Sequence, residues 1–386
     1  VNTKHRNWLK QLTAIPTAAG CEQRVVEWIE RWAASRKWAS VKFDKFGNLL
    51  LRRSGKGATT SRKPIIFTAH MDHPAFVVAE VVDPHHVKAD FRGGVRDEYF
   101  VGTRVLLHQP AKPACPGLIE QISPPTATTP DKQAVARFFR RVDAQPGDIM
   151  TWDTGPVRIV GDRLYAPACD DLAGVAAAMA AFDTIQSRRG KKPDVRVLLT
   201  RAEEIGFIGA IAASKSGIVP KLSRLITLEN SRSFSESPIG GGPIVRVGDR
   251  TSSFDPDLTY QITKVAESLA KDDSTFKWQR KLMPGGTCEA SAFQSYGYRA
   301  ACICLPLGNY HNMGGLDDTL EGAGGKRRRR NAPKASIKAE TVSLSDFQGL
   351  VQLLVQLARD IDKPGKSGPL KKRLDKLFKD RRAILG

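Results

Sequence analysis

A chain of 386 residues is too long for one ordinary hydrophobic core, so two domains or one domain with a large insert are expected. Its composition, 41% hydrophobic and 26% charged, is that of a soluble globular protein, and stretches such as Val175 to Phe182 are too short to cross a membrane. The net charge of +20 is local: the segments 326–338 and 363–382 each carry +7, leaving about +6 and excluding a fold that is basic throughout.

At the start of the chain, Lys4, His5, Arg6 and Lys10 interrupt any apolar signal pattern, so a cytoplasmic location without a membrane partner is expected. Asn7 to Thr13 reads as a short amphipathic helix. Glu22 to Arg36 reads as a second, with Val25, Val26, Ile29 and Trp32 on one face. Val41 to Leu51 alternates about Phe46-Gly47-Asn48, as a hairpin does. The run from Pro64 to Asp72 is a buried strand that delivers His70 and Asp72 at its C-terminal end. His73 follows and reads as a solvated imidazole, and His85, His86 and His108 read as surface or turn residues without convergent partners.

From Ala75 to Val160 the texture becomes that of a small all-β insert. Short alternating strands at 76–82, 86–91, 104–108 and 158–160 are separated by Gly and Pro. Asp170 and Asp171 then stand at the start of an Ala-rich helix, where Asp171 serves as a helix cap. Asp194 to Thr200 is a buried strand running into Ala202-Glu203-Glu204-Ile205-Gly206. Gly206 and Gly209 allow a tight turn there, so two adjacent carboxylates sit where a strand ends and a helix begins. Arg224 to Leu228 is another buried strand, with Glu229 at its end. Gly285-Gly286-Thr287-Cys288 turns into a helix, and the strand Ala300 to Leu305 precedes His311. Ser343 or Ser345 caps the last core helix. Beyond Pro364 a basic amphipathic helix carries Leu374, Leu377, Phe378 and Leu385. The six cysteines, at 21, 115, 169, 288, 302 and 304, have no metal-binding spacing and read as reduced thiols. The chain divides on these grounds into residues 1–74, an insert over 75–160, residues 161–362 with a basic loop at about 318–338, and a tail over 363–386.

His70, Asp170, Glu204, Glu229 and His311 each follow a strand or open a helix. Two imidazoles and three carboxylates are the donor set that two divalent ions need when one carboxylate bridges them. Zinc suits such ligands, with cobalt or manganese as the other candidates. Glu203, beside a ligand and not needed as one, is a candidate general base. Asp72 is placed to accept the other N–H of His70.

The ordered set Ala69-His70-Met71-Asp72, Cys169-Asp170-Asp171 with Gly174, Glu203-Glu204 with Gly206 and Gly209-Ala210, Glu229, Gly285-Gly286-Thr287 and His311 resembles the dinuclear metallo-aminopeptidases of the tetrahedral, glutamyl and deblocking aminopeptidase group. The resemblance runs from about Leu9 to Ile361. It implies an α/β chain: a three-layer α/β/α zinc-peptidase-like catalytic domain interrupted, between His70 and Asp170, by a small β-barrel or PDZ-like domain. It further implies that Asp170 bridges the metals, that His70 and Glu229 complete one site and Glu204 and His311 the other, and that Glu203 activates the shared water. Peptide substrates and a homo-oligomer go with it. The chain departs from the group at His73, where an acid is usual, at Glu229, where Asp is usual, and at Cys288, which replaces an Asp.

Removal of an N-terminal residue from a peptide is therefore the expected reaction. A deacylase or amidohydrolase acting on N-acyl amino acids or small peptides is the alternative that keeps the metals. A nucleic-acid-binding module is the least favoured reading, although the basic loop and tail suit an acidic partner.

Overall fold

The computed structural model describes residues 2–55, 57–188, 190, 192–317, 335–362 and 369–385. The Lys326–Arg330 run lies outside them. Two helices, α1 (Thr3–Leu12) and α2 (Gln23–Ala34), open the chain. The expected hairpin follows as β1 (Ala39–Phe43) and β2 (Leu49–Arg53), paired antiparallel, and then β3 (Ile65–His70).

Six strands come next: β4 (Ala75–Asp83), β5 (His86–Arg92), β6 (Arg104–His108), β7 (Cys115–Ser123), β8 (Lys132–Phe138) and β9 (Ile149–Trp152). They close into a barrel in the order β4-β5-β8-β7-β6-β9. The alternating burial of β5 and β8 puts Val87, Ala89 and Phe91 and then Ala134, Ala136 and Phe138 inside, where Phe76, Phe91, Phe100 and Trp152 pack edge to face or tilted. Closure leaves this short-stranded insert no free sheet edge. The strand expected at 158–160, however, is not part of it. As β10 (Arg158–Val160) it pairs with β11 (Arg163–Ala166), which in turn pairs with β19 (Glu340–Ser343).

The rest of the chain contributes α3 (Leu172–Ser187), β12 (Val195–Thr200), α4 (Ile208–Ser216), β13 (Arg224–Arg232), β14 (Ile244–Gly248) and α5 (Pro256–Asp272). Then come β15 (Gln279–Leu282), α6 (Glu289–Ser295), β16 (Arg299–Leu307) and the short pair β17 (Met313–Gly314) and β18 (Ser336–Ile337). After β19, α7 (Leu344–Asp360) packs on α3 and α5, and α8 (Pro369–Arg381) ends the described chain with a short helical turn to Leu385.

Eight strands form the main sheet in the order β1-β2-β12-β3-β13-β16-β14-β15. The four central strands, β12, β3, β13 and β16, run parallel. Every residue of β3 and β12 is buried, which a strand achieves only with cover on both faces. The helix α3 has little amphipathic character because it is buried nearly all round, its alanines allowing close approach to β3, β12, β13 and α7. Parallel strands bring their C-terminal ends to one edge, and His70, Glu203, Glu204, Glu229 and His311 stand in the C-terminal halves of these four strands or just beyond them.

Candidate metal centre

His70 is the last residue of β3 and is almost wholly buried. Its Nε2 lies 3.4 Å from Asp170 Oδ1, 3.9 Å from Glu203 Oε2 and 4.0 Å from Glu229 Oε2. Its Nδ1 faces the Asp72 carbonyl at 3.1 Å and Asp72 Oδ1 at 3.4 Å, so the proton belongs on Nδ1 and the Nε2 lone pair points at the carboxylates.

His311 repeats the arrangement on the other side. Its Nδ1–H donates to the Gly94 carbonyl at 2.8 Å, and its Nε2 stands 3.5 Å from Asp170 Oδ2 and 3.5 Å from Glu204 Oε2. The two imidazoles thus approach opposite oxygens of one carboxylate, each with one further acid beside it. His70, Glu203 and Glu229 offer ligand atoms within 4.8 Å of one another, as do His70, Asp170 and Glu204.

Without cations this cluster is frustrated. Burial drives Glu204 and Glu229 well above the ordinary carboxylate range, and Glu203 up to about 8 against the pull of His70. Burial also acts on Asp170, yet the imidazoles of His311 and His70 facing its two oxygens hold its carboxyl below the usual range. One oxygen each of Asp170, Glu204 and Glu229 is buried with no hydrogen-bond partner among the described residues. Acceptor-only oxygens and imidazole lone pairs facing each other at 3.4–4.0 Å fit divalent cations between them.

Asp72 does more than face His70. Its Oδ1 and Oδ2 accept the backbone N–H groups of Glu203 and Glu204, both at 3.0 Å, which locks the loop after β12 to the end of β3. The loop turns through Ala202 at φ 51° and Phe207 at φ 61°. A Cβ on Gly209 would sit 2.2 Å from the Arg201 carbonyl, so only glycine lets α4 start so close to its own approach.

Several residues that organise the centre stand out only in three dimensions. Glu340, fully buried at the start of β19, accepts N–H groups from Cys169 at 2.7 Å and Asp170 at 2.9 Å on one oxygen, and from His311 at 2.8 Å on the other. Glu22, just ahead of α2, accepts from Ala202 N at 3.0 Å and Arg201 Nε at 2.7 Å. Glu289, buried in α6, accepts from the Thr68 hydroxyl, and burial raises its pKa to about 7. An isolated acid followed by Thr-Val-Ser, as at Glu340, carries no sequence signal of its own.

Three expectations are corrected here. His73 is not solvated: it is buried, donates from Nδ1 to the Asp170 carbonyl at 2.5 Å, and has Nε2 3.0 Å from Asn312 Oδ1, with burial depressing its pKa. Asp171 occupies the cap position of α3 but makes no capping bond; its Oδ1 accepts from Asn230 Nδ2 at 2.7 Å, because the carboxylate turns back over Gly174. His108, expected at the surface, is half-buried on β6 against the Thr151 hydroxyl. His85 and His86 do lie at the β4–β5 turn.

A cavity of about 660 Å³ opens over the cluster. Arg96, Arg232, Arg246 and Arg250 contribute to its wall, with Phe207, Phe234 and Tyr310. Arg246 is buried on β14, reaches Ser231 Oγ at 3.3 Å, and its Nε meets no hydrogen-bond partner among the described residues.

A sequence model of the M42 glutamyl aminopeptidases matches residues 47–320. A protein of Acetivibrio thermocellus, provisionally described as an aminopeptidase, is 24% identical over 368 residues, 90% of this chain and 96% of that one. Among solved structures, the TET1 peptidase of Pyrococcus horikoshii superposes with a TM-score of 0.69 at 22% identity, covering 92% of this chain and 99% of the other. A TET aminopeptidase from a marine sediment archaeon of the Thaumarchaeota gives 0.72 at 19% identity over 93% and 98%. At these identities the solved structures speak to the fold alone, a mixed α/β fold shared over more than nine-tenths of each chain.

Proposed function

This chain belongs to the M42 glutamyl aminopeptidase family, and from that premise we propose which of its residues perform the hydrolysis. It is a metal-dependent aminopeptidase, a hydrolase of peptide bonds. The observation that carries the site assignment is the approach of His70 and His311 to opposite oxygens of Asp170, at 3.4 and 3.5 Å. Asp170 would bridge two divalent ions, His70 and Glu229 completing one site and His311 and Glu204 the other. The extra methylene of Glu229 relative to the usual Asp is accommodated, since its Oε2 reaches to 4.0 Å from His70. Zinc is the ion we assign, on the imidazole and carboxylate donors.

Divalent ions held by these residues would supply an acidified water and a Lewis acid for the scissile carbonyl. Glu203, whose Oε2 lies on the His70 side of the cluster, takes the proton from the attacking water and passes it to the leaving amine. Asp72 keeps His70 in the right tautomer and fixes the backbone of both glutamates. Of the arginines on the cavity wall, Arg96 and Arg232 are already paired to Glu98 and Asp317, which leaves Arg246 and Arg250 to favour substrates whose first residue is acidic.

We read the barrel as the inserted β-barrel or PDZ-like domain, with the boundaries 1–74, 75–160, 161–362 and 363–386, save that β10 at the end of the second span pairs with the body. The Pyrococcus horikoshii relative assembles into a tetrahedron or an octahedral shell, and we propose a homo-oligomer here as well, in the cytoplasm. Among the described residues no helix is long and apolar enough to cross a membrane.

The test is a panel of aminoacyl-nitroanilides beside N-acyl amino acids, with metal content measured on the same protein. Cleavage of Glu- and Asp-nitroanilide ahead of Leu- and Lys-nitroanilide is expected. Turnover confined to N-acyl substrates would instead establish the deacylase alternative.

A further inference from the structure

Among the described residues, none after Asp362 takes part in the cavity or the metal cluster. The helix α8 runs Pro369–Arg381, and every side chain from Lys371 to Leu385 is exposed. Leu374, Leu377 and Phe378 are 51%, 48% and 61% accessible, and Ile384 and Leu385 beyond them are 79% and 80%. At the helical period, Leu374, Leu377 and Phe378 fall on one stripe roughly 100° wide. Lys372, Lys376 and Lys379 lie on the opposite side, with Lys371 and Arg373 at its flanks. Asp375 and Asp380 are already ion-paired within the helix, to Lys371 and Lys376. An apolar stripe of this kind, held in water beside so many cations, calls for a partner that takes both.

Charge narrows the choice. Segment 363–386 holds nine basic and two acidic residues, +7, and the rest of the chain keeps +13, so a second copy would bring like charge against like. A nucleic acid would engage the lysines and arginines but leave the three large apolar side chains in water. An anionic bilayer surface satisfies both faces at once. Leucine and phenylalanine enter the boundary between headgroups and acyl chains, and the flanking basic side chains extend to the lipid phosphates and carboxylates.

We propose that α8 is an interfacial membrane-docking helix that holds the peptidase on an anionic lipid surface without spanning it. This role is independent of the catalytic reading, since no residue of α8 lines the cavity.

Full-length protein is floated with phosphatidylcholine vesicles that contain phosphatidylserine and, separately, with pure phosphatidylcholine vesicles at physiological salt. Binding to the first and not the second is expected. Each of K372E and K379E should weaken it by roughly fivefold or more, as expected for loss of one surface cation. The exposed double variant L377E/F378E should abolish it while hydrolysis of soluble peptides stays unchanged. Absence of vesicle binding, equal binding to both vesicles, or retention of binding by L377E/F378E overturns the proposal. So does a duplex-DNA complex or an oligomer that the same variants dissolve while vesicle binding is absent, because the helix then serves nucleic acid or a second copy.

Discussion

Glu203 and Glu204 are neighbours whose backbone N–H groups both bind Asp72, yet their carboxylates part company: Glu203 Oε2 lies toward His70 and Glu204 Oε2 toward His311. On the proposed assignment, that divergence would let one act on a proton while the other holds a cation. Glu203→Gln is therefore expected to lower kcat by about 10²–10⁴ while metal content per chain, read by elemental analysis, stays that of the parent. Loss of metal together with activity would reassign Glu203 as a ligand. Glu340 tests a different idea. Both its oxygens accept backbone N–H groups, so a glutamine amide in either orientation turns an NH₂ toward a donor. Glu340→Gln should weaken metal affinity about 10–100-fold, measured by competition with a chelating dye, with a smaller effect on kcat at saturating metal. A variant whose metal titration overlays the parent would show that Asp170 and His311 are held by other means.

Elements transmit these constraints. Asp183 on α3 ties α1 and the segment after α2 to α3: it accepts from Lys4 Nζ at 2.5 Å and Arg36 Nε at 3.2 Å, with His5 Nε2 3.6 Å away. Burial raises its pKa, but the bonds from His5 and Lys4 win and bring it down to about 2. A carboxyl depressed in the folded state stabilises the fold fully above its unfolded pKa and ceases to do so as pH falls through the folded one. Asp183→Asn should thus lower Tm at pH 7, and the gap to the parent should close between pH about 4 and about 2 in acid melts. The loop after β12 gives a second case. Gly209→Ala places a Cβ against the Arg201 carbonyl and should cost about 1–3 kcal/mol in denaturant melts, with activity falling beyond the loss of stability. The sequence made such elements readable wherever an apolar run ended in a polar residue: β3 into His70, β12 into Glu203-Glu204, β13 into Glu229. It hid Glu340, Glu22, His73 and Asn312, whose partners are backbone groups contributed by segments far away in the chain. The strand β10 misled for a related reason, because three alternating residues fit a barrel edge and a body sheet equally well.

At the scale of the whole molecule, the proposed ligands, spread from residue 70 to residue 311, meet at one sheet edge, so the centre exists only in the completed fold. Cations held there stabilise that fold by mass action, by about 4 kcal/mol when their concentration is a thousand times Kd. Chelation should therefore abolish peptidase activity and lower Tm together, both recovering when metal returns; a melt indifferent to chelator would argue against binding at the buried carboxylates. The union of barrel and body has a further side. Gly93 and Gly94 leave the barrel at the end of β5, a Cβ on Gly93 would sit 2.7 Å from Pro74, and the Gly94 carbonyl sets the tautomer of His311. An insert is often pictured as freely exchangeable in the history of a family, recombining like a cassette. Here the cassette carries one of the atoms on which the chemistry depends, so any successful exchange must inherit the turn at Gly93-Gly94 and the turn at His311 as a single unit.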